Sequence, residues 1–302
     1  MKRRDPIAWP DKARIAVVPC IAFETWPDDL GVAAGLQNQS RRPIPPTARF
    51  TKDLAVITDR QFGERVGIFR MLDCLAEEGV RTTFFVNGVT VERFPALAKE
   101  IKAAGHEIAT ENYIHDYAFM KSPEQERADQ ARTVAACETI LGERPLGYLS
   151  TGVRPSDETP AIIADLGYQY WMDPQHEELP YALRVGAHEL TVLSYWLALN
   201  DYTTYRGEER TPRELLTMWK DAFDVLYAEG AHHPNFLAWG MHPFLTGRPY
   251  RIVALREFLR YAKGHPHVWF PRCIDVARWW RERYRGHSVE TWPNYGTGLP
   301  RA

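Results

Sequence analysis

The segment "GHEIATENYIHDYAF", Gly105 to Phe119, sets Glu111, His115 and Asp116 in one short polar stretch directly after an apolar run. A carboxylate and an imidazole at that spacing can converge on one point, either a metal ion or a substrate atom. Similar groups follow the other apolar runs. The first run ends in Glu24, with Thr25 and Trp26 behind it. Later runs lead to Tyr148 and Arg154, to Asp173, to Asn200 and Asp201, and to His242. Singly, each is a weak sign, and a lone His at a strand end is more often a structural hydrogen-bonder than a catalyst. Together they would ring one mouth of a barrel, and the chemistry they suit is hydrolysis. A carboxylate such as Glu24 can take a proton from water, and His242 can return one to a leaving nitrogen, provided their surroundings push the two pKa values apart.

The elements that must position these groups are legible as periodicities. "RIAVVPCIAF", "RTTFFVNG", "HEIAT", "LGYLS", "YQYWMD", "ELTVLSY", "FLAWGMHP" and "VWF" read as strands. Between them, Phe62, Val66, Phe69 and Leu72 form a helical stripe that Gly79 stops, and Phe94, Leu97, Ala98 and Ile101 form another ended by Gly105. Ser122 with Pro123, and Thr211 with Pro212, open two further helices as cap and first-turn proline. This alternation predicts an α/β fold: a parallel sheet covered by helices. The strand number suits a barrel, in which chemistry sits where strands run into their following loops. Residues 27–50 read as a long insertion that shapes the site or a contact surface. The tail 285–302 exposes Trp292 and Tyr295 unless something covers them. It is expected to be an arm that packs on a neighbouring subunit, which makes the chain a homo-oligomer.

Composition narrows the function classes. With 45% hydrophobic and 25% charged residues over 302 positions, the chain can bury an ordinary core. A net charge of −2 gives no electrostatic case for nucleic acid or an anionic membrane. Cys20, Cys74, Cys137 and Cys273 are far apart and form no CxxC, so each is expected as a buried free thiol in a reducing compartment. The basic start "MKRRDPIAWPDK" leads into no apolar run of the signal-peptide kind, and no run reaches membrane-span length. The expected location is the cytoplasm, and the expected partner is a small-molecule substrate.

The stretch "MHPFLTGRPYRIVALREFLRYAKGHPHVWF" closely resembles the late motif of PuuE-type allantoinases and their relatives, a branch of the polysaccharide deacetylase (NodB-homology) superfamily. "HEIATENYIHD", "GYLSTGVRPSDETPAIIADLGYQYWMD", "ELPY" and "ALND" fall in the order that branch uses, so the resemblance spans about Arg14 to Trp280. It implies a distorted (β/α) barrel that hydrolyses C–N bonds, here one domain over 1–302 with 285–302 as its arm. Metal-dependent members of the superfamily carry two aspartates after the first strand, an H-x-x-x-H metal pair and an Arg-Pro-Pro segment. Here Glu24 and Thr25 stand at the first motif, Glu111 and His115 at the second, and "YLSTG", with Leu149 in place of the arginine, at the third. His242 matches the family's late histidine.

Those departures leave two states open. Glu24, Glu111 and His115 could hold one divalent cation, zinc or manganese, or the site could work without metal on an activated amide. The resemblance implies Glu24 and His242 as catalytic residues and Glu111 and His115 as metal ligands. Trp26 is expected as a wall of the substrate site, with Asn112, Tyr148, Arg154, Asn200 and Asp201 around it. The main reading is an amidohydrolase acting on a small cyclic amide or ureide. The alternatives are a metal-dependent N-deacetylase of a carbohydrate or other acylated amine, and a non-catalytic binding barrel.

Overall fold

The computed structural model describes residues 7–28, 52, 54–208 and 210–292. Nearly all of the 27–50 insertion, and Tyr295 in the tail, lie outside the described residues. One sheet organises the rest. Its strands are β1 (Ile15–Phe23), β2 (Thr83–Val86), β3 (Glu107–Thr110), β4 (Gly147–Tyr148), β5 (Tyr170–Trp171), β6 (Tyr181–Val185), β7 (His188–Val192), β8 (Asn235–Met241), β9 (Val268–Trp269) and β10 (Val289–Thr291), in the order β10-β6-β7-β5-β4-β3-β2-β1-β8, with β9 beside β1. β1 to β5, β7 and β8 pair in parallel, so their carboxyl ends open on one edge. This is the α/β architecture expected. The departure is β6, which the sequence reading missed and which runs antiparallel to β7. Its two-residue turn needs Gly186, at φ +57°.

β1 is buried along its whole length, which is why it reads as an unbroken apolar run. Pro19 sits inside it, where a central strand would normally exclude it. β9 flanks β1 at Ile15 and Ala16, and β2 flanks it only from Ile21. The missing N–H of Pro19 falls between these two neighbours, and the hydroxyl of Thr82 donates to the Pro19 carbonyl at 3.0 Å.

The helices are α1 (Leu54–Phe62), α2 (Ile68–Glu77), α3 (Gly88–Arg93), α4 (Pro95–Ala103), α5 (Pro123–Leu141), α6 (Thr159–Asp165), α7 (Pro212–Glu229), α8 (Ile252–Lys263) and α9 (Cys273–Arg283). α5 and α7 begin with full capping boxes, Ser122 with Gln125 and Thr211 with Glu214. The expected stripe through Val66 and Phe69 faces the wrong way, since both are exposed. A π-helical turn, Gly63–Gly67, joins α1 to α2 and shifts the phase, so Ile68, Met71, Cys74 and Leu75 are buried instead.

All four cysteines are free and buried, as expected. Cys20 and Cys273, remote in sequence, bring their sulfurs to 3.7 Å, and burial pushes the Cys273 thiol well above its ordinary pKa, so it stays an unreactive thiol. β10, in the tail, pairs with β6 of the same chain, and Trp292 meets Trp171 edge-on. This part of the arm therefore folds back on its own sheet rather than on a neighbour. No helix among the described residues is long and apolar enough to cross a membrane.

His106 leads into β3, where its Nδ1 accepts from the Thr82 N–H at 3.1 Å and its ring meets Phe84 edge-on. Burial, with the nearby Arg81 and Arg272, pulls its pKa down to about 4. A folded pKa below the unfolded one means the unfolded chain binds the extra proton between those values. Stability is then intact at pH 7 and falls as pH drops through about 6.5 towards 4. After allowance for residual solvent access, the loss should be on the order of 2 kcal/mol. Urea denaturation across that range tests this, and His106→Asn, which keeps an acceptor but cannot charge, should flatten the slope.

Candidate active site

Strand register sets the level of the site. Phe23 pairs with Val86 and Val86 with Thr110, so Glu24, Asn87 and Glu111 each stand one residue past the sheet edge. Ile21 pairs with Met241 on the other side, which brings His242 to the same edge. Asn87 locks these ends together. It accepts from the Thr25 N–H at 3.0 Å and donates to the Asn112 carbonyl at 2.9 Å. The Thr25 carbonyl accepts from the His115 N–H at 3.1 Å, which turns the segment after β3 back over β1.

The result is a buried cluster. Glu24 Oε1 lies 3.3 Å from His115 Nδ1 and 3.6 Å from His242 Nε2, and Glu111 Oε2 lies 3.7 Å from His115 Nδ1. All four side chains are at most 7% exposed. Asp116, the third polar group of the opening stretch, turns away to Lys121 at 2.7 Å.

Charges inside such a cluster decide each other. Burial alone would raise Glu24, but the charges of His115 and His242 outweigh it and hold its carboxyl far below the usual range. Burial and the Glu24 charge push Glu111 up to about 7. Burial would depress both imidazoles. Glu24 and Glu111 outweigh it at His115, and Glu24 and Asp201 outweigh it at His242, so both are raised, His242 strongly.

His242 is held from behind. Asp201 Oδ1 lies 2.6 Å from its Nδ1, and Asp201 Oδ2 accepts from the His242 N–H at 2.9 Å and the Thr246 hydroxyl at 2.6 Å. The following loop is seated against the π turn, where a Cβ on Gly67 would come within 2.0 Å of the Pro243 carbonyl oxygen.

Three ligand atoms of the cluster, Glu24 Oε2, Glu111 Oε2 and His115 Nδ1, are buried without a hydrogen-bond partner. Glu24, Glu111 and His115 each offer one donor atom within 4.8 Å of the others. Two carboxylates and an imidazole converging in this way fit a divalent cation.

The remaining expected site residues are distributed differently. Trp26 stacks on His115 with ring centres 3.3 Å apart and meets Tyr202 and Phe244 beyond it, so it is a wall as expected. Asp201 is not free for substrate, because both its oxygens serve His242 and Thr246. Asn200 donates to the Tyr195 hydroxyl at 2.6 Å and accepts from the Tyr202 N–H at 2.7 Å. Asn112 accepts from the Tyr148 hydroxyl at 2.5 Å and from Gln130 at 3.1 Å. Asn112, Tyr148 and Asn200 thus form the buried support of the strand ends. Arg154 is exposed and lies over the Tyr117 ring. A cavity of about 460 Å³ between the loops after β5 and β7 is lined by Gln175, Ser194, Tyr195 and Trp196, but by none of the four clustered residues.

Two further charged residues stand at this edge of the fold. Arg60, on α1, lies over Trp26. Asp173, just past β5, accepts from the Ser150 N–H and hydroxyl, and burial lifts it to about 6. The strand-end rule finds Asp173; nothing local marks Arg60.

The family model for polysaccharide deacetylase matches residues 63–171. The chain is similar to PuuE allantoinase, at 30% identity and a TM-score of 0.80 over 93% of this chain and 95% of that one. It is similar to a probable polysaccharide deacetylase from Pseudomonas aeruginosa PAO1, at 28% identity and a TM-score of 0.83 over 93% and 96%. A putative polysaccharide deacetylase of Schizosaccharomyces pombe is 25% identical over 93% of this chain and 94% of its own length.

The Asp201–His242 pair gives a test that needs no substrate. Asp201→Asn should lower the His242 pKa, followed by NMR of ¹⁵N-labelled histidine, because the anionic partner is lost. Asp201→Ala should cost about 3 kcal/mol in urea denaturation, since it removes the partner buried against His242 Nδ1. An unchanged His242 titration in Asp201→Asn would refute the coupling.

Proposed function

The chain belongs to the polysaccharide deacetylase (NodB-homology) superfamily and is a hydrolase of carbon–nitrogen bonds other than peptide bonds, and from that premise we propose that its substrate is a small cyclic amide or ureide. The observation that carries this reading is the aromatic wall over the cluster. Trp26 stacks on His115, and Tyr202 and Phe244 both meet His242, with centres at 5.7 and 5.5 Å. Rings packed this close over Glu24 suit a small planar substrate, whereas a sugar polymer needs an open groove. A ring amide is also easier to open than an unactivated acetamide, which suits the altered ligand set.

In this reading Glu24 receives the proton of the attacking water. His242, positively charged and oriented by Asp201, gives a proton to the leaving nitrogen. Trp26, held between His115 and Arg60, walls the site with its ring edge. With Glu24 kept as the base, Glu111 and His115 would hold a divalent cation. Such an ion supplies Lewis-acid polarisation of the amide carbonyl and acidifies water. N-deacetylation of a carbohydrate is the second reading, favoured by the names of the Pseudomonas and yeast relatives.

Purified protein should open the ring of hydantoin, allantoin or succinimide and leave N-acetylglucosamine oligomers acetylated. The reverse result would establish the second reading and end the first. His242→Ala should lower kcat by about 10²–10⁴-fold. Calorimetric titration of chelator-treated protein with Zn²⁺ should show one site that Glu111→Ala removes. No zinc binding by the unaltered protein would take the metal out of the scheme.

A further inference from the structure

The guanidinium carbon of Arg60 lies 3.7 Å from the centre of the Trp26 ring, and Trp26 stacks in turn on His115. Among the described residues no carboxylate forms an ion pair with Arg60. The carboxylate beside it on α1, Asp59, is taken by Arg206 and by Arg248, the latter at 2.7 Å. Glu24, whose charge also acts on Arg60, lies between His115 and His242. Arg60, Arg206 and Arg248 therefore share one local carboxylate, and the rim above the cluster is electropositive. The groups acting on Arg60 are Tyr202, Glu24, Arg206 and Asp59. Burial outweighs them and pulls its pKa down to about 10, which leaves it charged at neutral pH.

Trp26 adds an independent sign. Its indole N–H is buried and has no acceptor among the described residues. A cation over an aromatic face explains the stacking of Arg60. It explains neither the unsatisfied indole donor nor the excess of guanidinium over carboxylate. A buried donor without an acceptor is unfavourable, and the indole N–H together with a guanidinium that forms no ion pair among the described residues suits an anionic oxygen group.

From this we infer that Arg60 and the Trp26 N–H form a carboxylate-binding subsite, and that the substrate carries a carboxylate on the ring next to the scissile amide. The inference rests on the cyclic-amide reading above and narrows its substrate class. Arg60 presents the flat fork that a carboxylate matches, and Trp26 fixes the distance between that fork and His115. Arg60 is thus a specificity-determining residue for the reaction at Glu24 and His242.

The test is equilibrium binding of two probes, hydantoin and hydantoin-5-acetate, to the unaltered protein, Arg60→Gln, Arg60→Lys and Trp26→Phe. The acid should bind the unaltered protein at least about tenfold more tightly than the neutral ring, the usual worth of a charge-assisted contact. Arg60→Gln should bring that ratio close to one. Arg60→Lys should keep part of it, and Trp26→Phe should reduce it with the ring still bound. If Arg60→Gln does not fold, as judged by circular dichroism, the Arg60→Lys and Trp26→Phe ratios decide. Equal binding of the two probes by the unaltered protein, a ratio that survives in the variants, or no binding of the acid would overturn the inference. Turnover is followed in the same samples. Failure to hydrolyse either probe while the binding ratio holds would remove the hydrolytic reading of this substrate class and leave the subsite standing.

Discussion

The arrangement depends on one buried carboxylate. Glu24 is ionised in a place that would ordinarily forbid it, and it stays ionised because His115 and His242 stand 3.3 and 3.6 Å away. Its charge raises both imidazoles and, by repulsion, helps lift Glu111. The cluster is electrically neutral when Glu111 keeps its proton and both imidazoles are charged against Glu24 and Asp201. It is equally neutral when a divalent cation takes the place of the protons on Glu111 and His115. The same side chains therefore satisfy either occupant. Cation binding would release protons and weaken as pH falls.

Such a cluster survives only if it cannot relax. A buried charge pair in poor geometry destabilises more than it helps. The rigidity here comes from backbone register and from neutral hydrogen bonds below the ionisable layer. Asn87 ties the ends of β1 and β3 together, and Asn112, Gln130 and Tyr148 form one closed network beneath Glu111. The loop bearing His242 is fixed by Asp201 on one side and by the close approach of Gly67 on the other. The π turn that spoils the helical stripe of α1 and α2 is the same turn that lets Gly67 reach Pro243.

This explains what the sequence made legible. Capping boxes and fully buried strands are local patterns, so β1, β3, β8, α5 and α7 could be read directly. β6 was missed because its pattern lies in a polar surrounding and only its pairing with β7 defines it. The phase of α2 was misread because a single π turn leaves no compositional mark. At the site, the rule that chemistry gathers at strand carboxyl ends collected Glu24, Glu111, His115 and His242. It could not say which polar neighbours face the cavity. Asp201, Asn200, Asn112 and Tyr148 follow the same rule, yet each hydrogen-bonds within the protein. Arg60 was invisible for the opposite reason: its meaning depends on Trp26, which lies on a different element.

The aromatic side chains join the electrostatics to the proposed chemistry. Trp26, Tyr202 and Phe244 keep water from the imidazoles, and in that drier setting the attraction of Glu24 for both is stronger than it would be in solvent. The same exclusion limits what can enter. A small planar ring can lie at the edge of Trp26 without separating the stacked groups. A bulky saturated sugar would have to displace Trp26 from His115, and with it the contact to Arg60. On the proposed reading, substrate size is therefore set by the residues that keep Glu24 ionised. A mutation that opened the wall for larger substrates would weaken the charge arrangement that the reaction uses.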